Sequence, residues 1–126
     1  MSYEWDNKKP TAQMLGRWQP FHDGHYALFE KILEKTGQVC IEVRDVQGVD
    51  DNPFNFKTIK KNIEKILYPK FKNRFKVILV PNITNISYGR GVGYKIEEVM
   101  LSEKIQKISA TKIRKMMRKK GLLKKD

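Results

Sequence analysis

Apolar and polar residues alternate along this chain in two periods, one typical of buried strands and the other of amphipathic helices. Three short apolar runs predict buried strands, at residues 12–15, 38–43 and 75–80. Between the first two runs, apolar residues four apart predict a helix over residues 24–35, with Leu28 and Ile32 on one face. A second helix is predicted from Phe56, and we expect Pro69 to end it. Strands that alternate with helices indicate a parallel sheet.

The C-terminal third of the chain continues this pattern less regularly. Residues 94–101 predict a fourth strand after a glycine-containing loop, and a last helix is predicted over residues 111–120. The fold class is therefore α/β, a Rossmann-like single domain whose parallel sheet has helices on both faces. We place this domain at residues 12–121, between a flexible N-terminal segment, 1–11, and a basic tail, 122–126.

Composition narrows the class of protein. The single cysteine, Cys40, excludes an intrachain disulfide framework and a zinc cluster built on cysteines. No apolar run approaches the ~20 residues that span a bilayer. Residues 1–10 also lack the apolar stretch of a secretory signal. We therefore expect a cytoplasmic protein without a membrane partner.

Positive charge is concentrated at the C-terminal end. The net charge is +12, and residues 111–126, with eight basic side chains and one acidic, carry +7 of it. Such a basic end favours an anionic partner, which can be nucleic acid, anionic lipid or a nucleotide phosphate. A solvated, charged helix face explains the same pattern, so the charge alone does not choose among them.

Residues 16–25, which we call the first loop, contain both histidines of the chain. His22 and His25 are three residues apart at the expected start of a helix, so they lie on one side of it. Gly24 lets a phosphate approach the backbone, and the helix N-terminus adds N–H donors. Two imidazoles at a helix start are suited to a phosphate that gains charge during a reaction. The alternatives are two unrelated histidines, or a zinc site without an evident third ligand.

The second segment with candidate chemistry is residues 108–114. Ser109 and Thr111 can cap the last helix, or donate hydroxyl hydrogen bonds to a phosphate there. Arg114 follows one turn later and can bind an oxyanion through two N–H groups. By itself this segment is also explained as an ordinary cap on a basic helix.

The two segments resemble sequence motifs of one enzyme family. The first loop resembles the GxxxPxHxGH motif of the nucleotidylyltransferase superfamily, and residues 108–114 resemble its ISxTxxR motif. The stretch GRWQPFHDGH looks most like archaeal-type nicotinamide mononucleotide adenylyltransferases, as does Asn52-Pro53-Phe54, the NPF segment. The chain length is nearer to the small cytidylyltransferases. The resemblance covers most of residues 12–121 and is more specific for the superfamily than for the substrate.

The resemblance implies roles for particular residues. His22, His25 and Arg114 are the implied catalytic residues, with the histidines on the α- and β-phosphates of a nucleoside triphosphate. The implied nucleotide-binding residues are Gly16, Arg17, Trp18, Gly24, Ser109 and Thr111. Trp18 is a candidate stacking surface.

Two further arginines are candidates for the acceptor or a phosphate. Arg44 lies at the end of the second strand, where relatives often place such a basic residue. Arg90 follows in the glycine-containing loop, and an ordinary turn explains it equally well. The span between residues 81 and 107 is shorter than in the adenylyltransferases, so the acceptor stays open.

The implied activity is transfer of a nucleoside monophosphate, with AMP favoured, from a nucleoside triphosphate to a small phosphate-bearing acceptor. Pyrophosphate leaves, and Mg²⁺ is the expected cofactor, with no protein side chain predicted to bind it. A cytidylyltransferase that uses CTP is the alternative enzyme, and a homodimer is plausible. A non-enzymatic nucleic-acid-binding protein is the other class of function. It is disfavoured because the aromatic residues form no stacking pattern typical of RNA binding.

Overall fold

A computed structural model describes residues 3–46, 52–91, 93–99, 101 and 110–121 of the chain. The described part contains three strands, β1 (Ala12–Gly16), β2 (Val39–Arg44) and β3 (Phe75–Val80), and three helices, α1 (Asp23–Thr36), α2 (Phe56–Phe71) and α3 (Ala110–Lys119). The strands form one parallel sheet in the order β1-β2-β3. The predicted α/β fold class, with a Rossmann-like parallel sheet, is confirmed.

The register of the sheet places its buried side chains on one face. Met14 lies beside Ile41, and Ile41 lies beside Val77, in the middle of the three strands. The same face carries the other buried strand residues, Val39, Val43 and Phe75. The alternation of buried and more exposed positions in β2 follows from the two-residue period of a strand.

Helices α1 and α2 cover this face together. Phe29 of α1 contacts the rings of Phe71 in α2 and Phe75 in β3, with centroid distances of 5.1 Å and 6.0 Å. Tyr68 of α2 also contacts Phe75, at 5.4 Å. The three buried phenylalanine rings, from two helices and a strand, therefore form the centre of this layer, where they contribute apolar burial and edge contacts.

The second helix does not end at Pro69, as the sequence predicts, but continues to Phe71. Proline removes one backbone hydrogen bond, and in the last turn of a helix this loss affects few other bonds. Phe71 is buried and packs on Phe29, so burial of its ring stabilises the additional turn.

The fourth strand predicted over residues 94–101 is also wrong for residues 94–99, which adopt no regular structure. Tyr94 and Ile96 are exposed. An ion pair of 2.8 Å between Lys35 and Glu97 joins this segment to the end of α1. Alternating residues form a strand only where a neighbouring strand pairs with their backbone, and no such strand is described beside them.

The N-terminal residues contact the domain through Gln38, which is fully buried immediately before β2. Its Nε2 donates to the carbonyl of Asp6 at 2.8 Å and to Thr11 Oγ1 at 2.6 Å. Its Oε1 accepts from the hydroxyl of Tyr3 at 2.9 Å. One buried amide thus joins three positions of the N-terminal segment to the start of β2.

Replacing Gln38 by alanine is expected to lower the free energy of unfolding by about 1–3 kcal/mol, because its buried amide makes hydrogen bonds to Tyr3, Asp6 and Thr11 that are all lost. The midpoint of urea denaturation measures this change. Gln13→Ala is the matched control, since Gln13 is an exposed glutamine on β1 and should change stability by no more than about 0.5 kcal/mol. Equal midpoints for the two variants would contradict a structural role for the Gln38 amide.

Among the described residues, no helix is both long enough and apolar enough to cross a membrane.

Candidate phosphate-binding site

The first loop leaves the C-terminal end of β1 and turns into α1 at His22. His22 is the N-cap residue, and its Nδ1 accepts hydrogen bonds from the backbone N–H groups of Gly24 at 3.0 Å and His25 at 3.4 Å. In return, His25 Nδ1 accepts from the backbone N–H of His22 at 3.2 Å. The two histidines therefore form a reciprocal capping box, a role usually filled by Ser or Thr with Glu or Gln.

This cap determines the tautomer of both imidazoles. A neutral imidazole carries its proton on one nitrogen, and because Nδ1 accepts in each ring, the proton lies on Nε2. The rings are stacked, with centroids 3.7 Å apart and planes 17° apart. Two Nε2–H donors therefore lie side by side at the start of α1, as a phosphate with several acceptor oxygens requires. The N–H of Gly24 is occupied by His22, so the side chains carry the anion-binding capacity here.

Burial keeps this pair neutral. Burial, together with the smaller effect of the neighbouring His22, lowers the pKa of His25 from 6.5 to about 3. Burial also lowers the pKa of His22, against the opposing effect of the Asp23 carboxylate. The pair is therefore an uncharged double donor at neutral pH.

Acidification should destabilise the fold through His25. The unfolded chain takes up this proton below pH 6.5, whereas the folded protein takes it up only near pH 3. As the pH is lowered through that window, the free energy of unfolding should decrease by about 1.4 kcal/mol per pH unit for each such proton. Urea denaturation of the wild type and His25→Asn across this window measures the difference, because asparagine does not titrate. Identical pH slopes would contradict the low pKa of His25.

Trp18 supports the histidine pair from within the protein. Its backbone φ of 55° lies in the left-handed region, which is unfavourable for a residue with a side chain. Its indole N–H donates to the Glu42 carbonyl of β2 at 3.0 Å, and the ring meets His25 edge-on at 4.7 Å. Trp18 is 6% exposed, so its ring packs inside the protein. A stacking role for Trp18 towards a nucleotide stays a prediction.

Gly16 makes this placement of Trp18 possible. A Cβ atom at Gly16 would lie 2.7 Å from the Trp18 indole, closer than side chains approach one another. The structure thus places Gly16 under the indole ring.

The second motif meets the first loop through Arg114, which is 2% exposed. Arg114 Nη1 donates to the carbonyl of Gln19 at 2.5 Å, and Nη2 donates to Thr111 Oγ1 at 3.3 Å. The structure therefore brings Thr111 and Arg114 to the first loop. Gln19 and Arg114 are 95 residues apart in the sequence. Ser109 lies outside the described residues.

The NPF segment is joined to the same loop by two side chains. Arg17 Nη1 donates to Asn52 Oδ1 at 3.2 Å. Gln19 bonds both the N–H and the carbonyl of Phe54, at 2.9 Å and 3.0 Å. Gln19 and Asn52 are both buried, and their sequence pattern predicted no role for either side chain. Two sequence features lay at these positions: the resemblance of the NPF segment, and a glutamine between apolar neighbours. Neither feature predicts that the first loop contacts the NPF segment.

The two candidate acceptor arginines lie at different ends of the sheet. Arg44 ends β2, and its Nη2 donates to Asn82 Oδ1 at 2.9 Å, just after β3. Parallel strands share one carboxyl edge, so Arg44 lies on the edge from which the first loop departs. Arg90 lines a separate open cavity of about 1350 Å³ together with Ala12 and Gln13, at the beginning of β1. The structure does not bring Arg90 to the histidine pair.

Comparison with known proteins agrees with these motifs. No family model matches the chain. It is 32% identical over 66 residues to the nicotinamide-nucleotide adenylyltransferase of Methanococcus aeolicus, a match covering 48% of this chain and 38% of the relative. It is 42% identical over 36 residues to the protein of the same name from Methanococcus vannielii, covering 29% and 21%. The matches thus span less than two fifths of these curated relatives. They confirm the resemblance to archaeal-type nucleotidylyltransferases that the two motifs predict.

Proposed function

We propose that the protein transfers the adenylyl group of ATP to a small phosphate-bearing acceptor, with release of pyrophosphate. The observation that carries this proposal is the contact of Arg114 with the first loop, in which the two imidazoles present adjacent donors. The similarity to proteins named nicotinamide-nucleotide adenylyltransferase supports it. CTP in place of ATP remains the alternative donor.

The reaction needs stabilisation of charge more than proton transfer. An oxygen of the acceptor phosphate attacks the α-phosphorus of ATP, a new P–O bond forms, and the bond to the bridging oxygen of pyrophosphate breaks. The attacking oxygen already carries negative charge at neutral pH, so no general base is required. The Nε2–H groups of His22 and His25 would donate to the α- and β-phosphate oxygens as charge develops on them.

The start of α3 would hold the other end of the triphosphate. Thr111 and Arg114, with Ser109 before them, are proposed to bind the β- and γ-phosphates. The Gln19 carbonyl orients the guanidinium of Arg114, and a guanidinium oriented in advance loses little freedom when it binds a phosphate. Binding at two separated positions would align the α-phosphorus with the acceptor.

The histidine pair is compatible with a magnesium ion that is held by the nucleotide and not by protein side chains. Both histidine Nδ1 atoms already accept backbone N–H groups, so the rings offer protons rather than lone pairs. Mg²⁺ prefers oxygen ligands and is commonly bound through substrate phosphates. When bound, it would neutralise part of the triphosphate charge. On the acceptor side, Arg44 and Arg17 are the proposed contacts.

A thermal-shift screen of ATP, CTP, GTP and UTP, each with Mg²⁺, tests the proposal, because a ligand that binds only the folded state raises its stability. The expected result is a rise in Tm with ATP, followed by pyrophosphate release once a phosphate-bearing acceptor is added. A shift with CTP alone would favour the alternative donor. Oligonucleotide binding that weakens steeply with salt, without any triphosphate shift, would instead indicate a nucleic-acid-binding protein.

A further inference from the structure

The side chain of Gln19 is a buried amide that has no role in the proposed chemistry described so far. It lies in the first loop and is 1% exposed. Its Nε2 donates to the Phe54 carbonyl at 3.0 Å, and its Oε1 accepts from the Phe54 N–H at 2.9 Å. These are the two bonds that a paired strand would make with Phe54. They determine the orientation of the amide, since the reversed orientation would place donor against donor and acceptor against acceptor.

The main chain of Gln19 makes the contact to α3. Its carbonyl accepts from Arg114 Nη1 at 2.5 Å, and Arg114 Nη2 bonds Thr111 in the first turn of α3. One residue thus joins three segments that are distant in sequence: the first loop, the NPF segment and α3. A carbonyl that receives a charged donor stabilises it only if the carbonyl itself is held in place.

We propose that Gln19 is the positioning residue for Arg114, and that its side-chain bonds to Phe54 orient the carbonyl that orients the guanidinium. This inference rests on the proposed function in one respect, which is that Arg114 binds the triphosphate. The arrangement predicts that a change at the Gln19 side chain reaches the triphosphate through Arg114, although among the described residues that side chain bonds Phe54 alone.

A double-mutant cycle separates positioning from a general structural effect. The four proteins are the wild type, Gln19→Ala, Arg114→Lys and the double variant, and the measurement is the Kd for ATP with Mg²⁺ by calorimetry. Gln19→Ala is expected to weaken binding by about tenfold, because an Arg114 guanidinium that is no longer oriented should lose the equivalent of one hydrogen bond to the triphosphate. In the Arg114→Lys background the same change should weaken binding by less than about twofold, because lysine lacks the planar group that Gln19 orients.

Matched controls accompany the cycle. Gln13→Ala removes an exposed glutamine amide from β1 and should leave the Kd unchanged. Gln19→Glu keeps the acceptor for the Phe54 N–H but loses the donor to the Phe54 carbonyl, so it should weaken binding as Gln19→Ala does. A tenfold loss in both backgrounds, or no loss in either Gln19 variant, would overturn the proposal.

Hydrogen exchange keeps the inference testable if the proposed function fails. Should the wild type bind none of the four triphosphates, the proposed function is wrong, and the Gln19–Arg114 contact is then tested by the exchange of the backbone amides of α3. Gln19→Ala should speed exchange across Ala110–Lys119 and leave the amides of β2 and β3 as slow as in the wild type. Unchanged exchange in α3 would show that Gln19 does not position this helix.

Discussion

Replacing His22 by asparagine is expected to slow nucleotidyl transfer by about 10²–10³-fold, the effect of removing one donor to a developing oxyanion. Asparagine is among the best N-cap residues, so its amide oxygen should accept the N–H groups of Gly24 and His25 as Nδ1 does now. The start of α1 is then retained while the Nε2–H donor is lost. Pyrophosphate release at saturating ATP and phosphate-bearing acceptor measures the rate.

His22→Ala is the matched control for this variant, because it removes both the donor and the cap. Its rate should fall as in His22→Asn, and its free energy of unfolding should fall by about a further 1 kcal/mol. If His22→Asn kept the wild-type rate, the imidazole would be a cap and nothing more. If the two variants were equally unstable, the capping box would not be the basis of the helix start.

Replacing Arg114 by alanine is expected to weaken ATP binding by about 10–100-fold, the range for a lost hydrogen bond to a charged group. The same change should also lower the free energy of unfolding by about 1–3 kcal/mol, because the Gln19 carbonyl loses its donor in a buried position. Calorimetry with ATP and urea denaturation measure the two effects separately.

Lys115→Ala is the control for charge. Lys115 is the next residue of α3 and is exposed, so its removal lowers the positive charge by the same amount without touching the first loop. It should weaken ATP binding only slightly, and less so as salt is added. If Lys115→Ala weakened binding as much as Arg114→Ala, the general charge of α3 would account for the affinity, and the contact with Gln19 would not.

The elements of the fold could be read from local patterns with two exceptions. The strand and helix bounds agree within one or two residues for β1, α1, β2 and β3, because burial of one face imposes a period on each segment. Pro69 and residues 94–99 are the exceptions. In both, segments distant in sequence decide the outcome. The ring contact of Phe71 with Phe29 extends α2, and residues 94–99 form no strand because no strand is described beside them to pair with their backbone.

The sequence motifs named the residues of the candidate site, but they predicted only part of how these residues are arranged in space. The spacing of His22 and His25 indicated that they act together, and the structure stacks them. The spacing did not indicate that both imidazoles cap the same helix, because histidine is an uncommon capping residue. The spacing also did not predict the position of Trp18. Its indole packs inside the protein because Gly16 leaves room for the ring and the Glu42 carbonyl accepts its N–H.

The sequence by itself determined the order of the three strands and three helices that are described, the histidine pair at a helix start and the resemblance of two motifs to the nucleotidylyltransferases. These depend on residues within one or two turns of each other, where spacing alone specifies geometry. Only the tertiary structure decided that Arg114 meets the Gln19 carbonyl, that Gln19 holds Phe54, and that Arg90 lies apart from the pair. These contacts join segments brought together by packing of the sheet and helices, and buried polar groups pair with the partner that packing supplies.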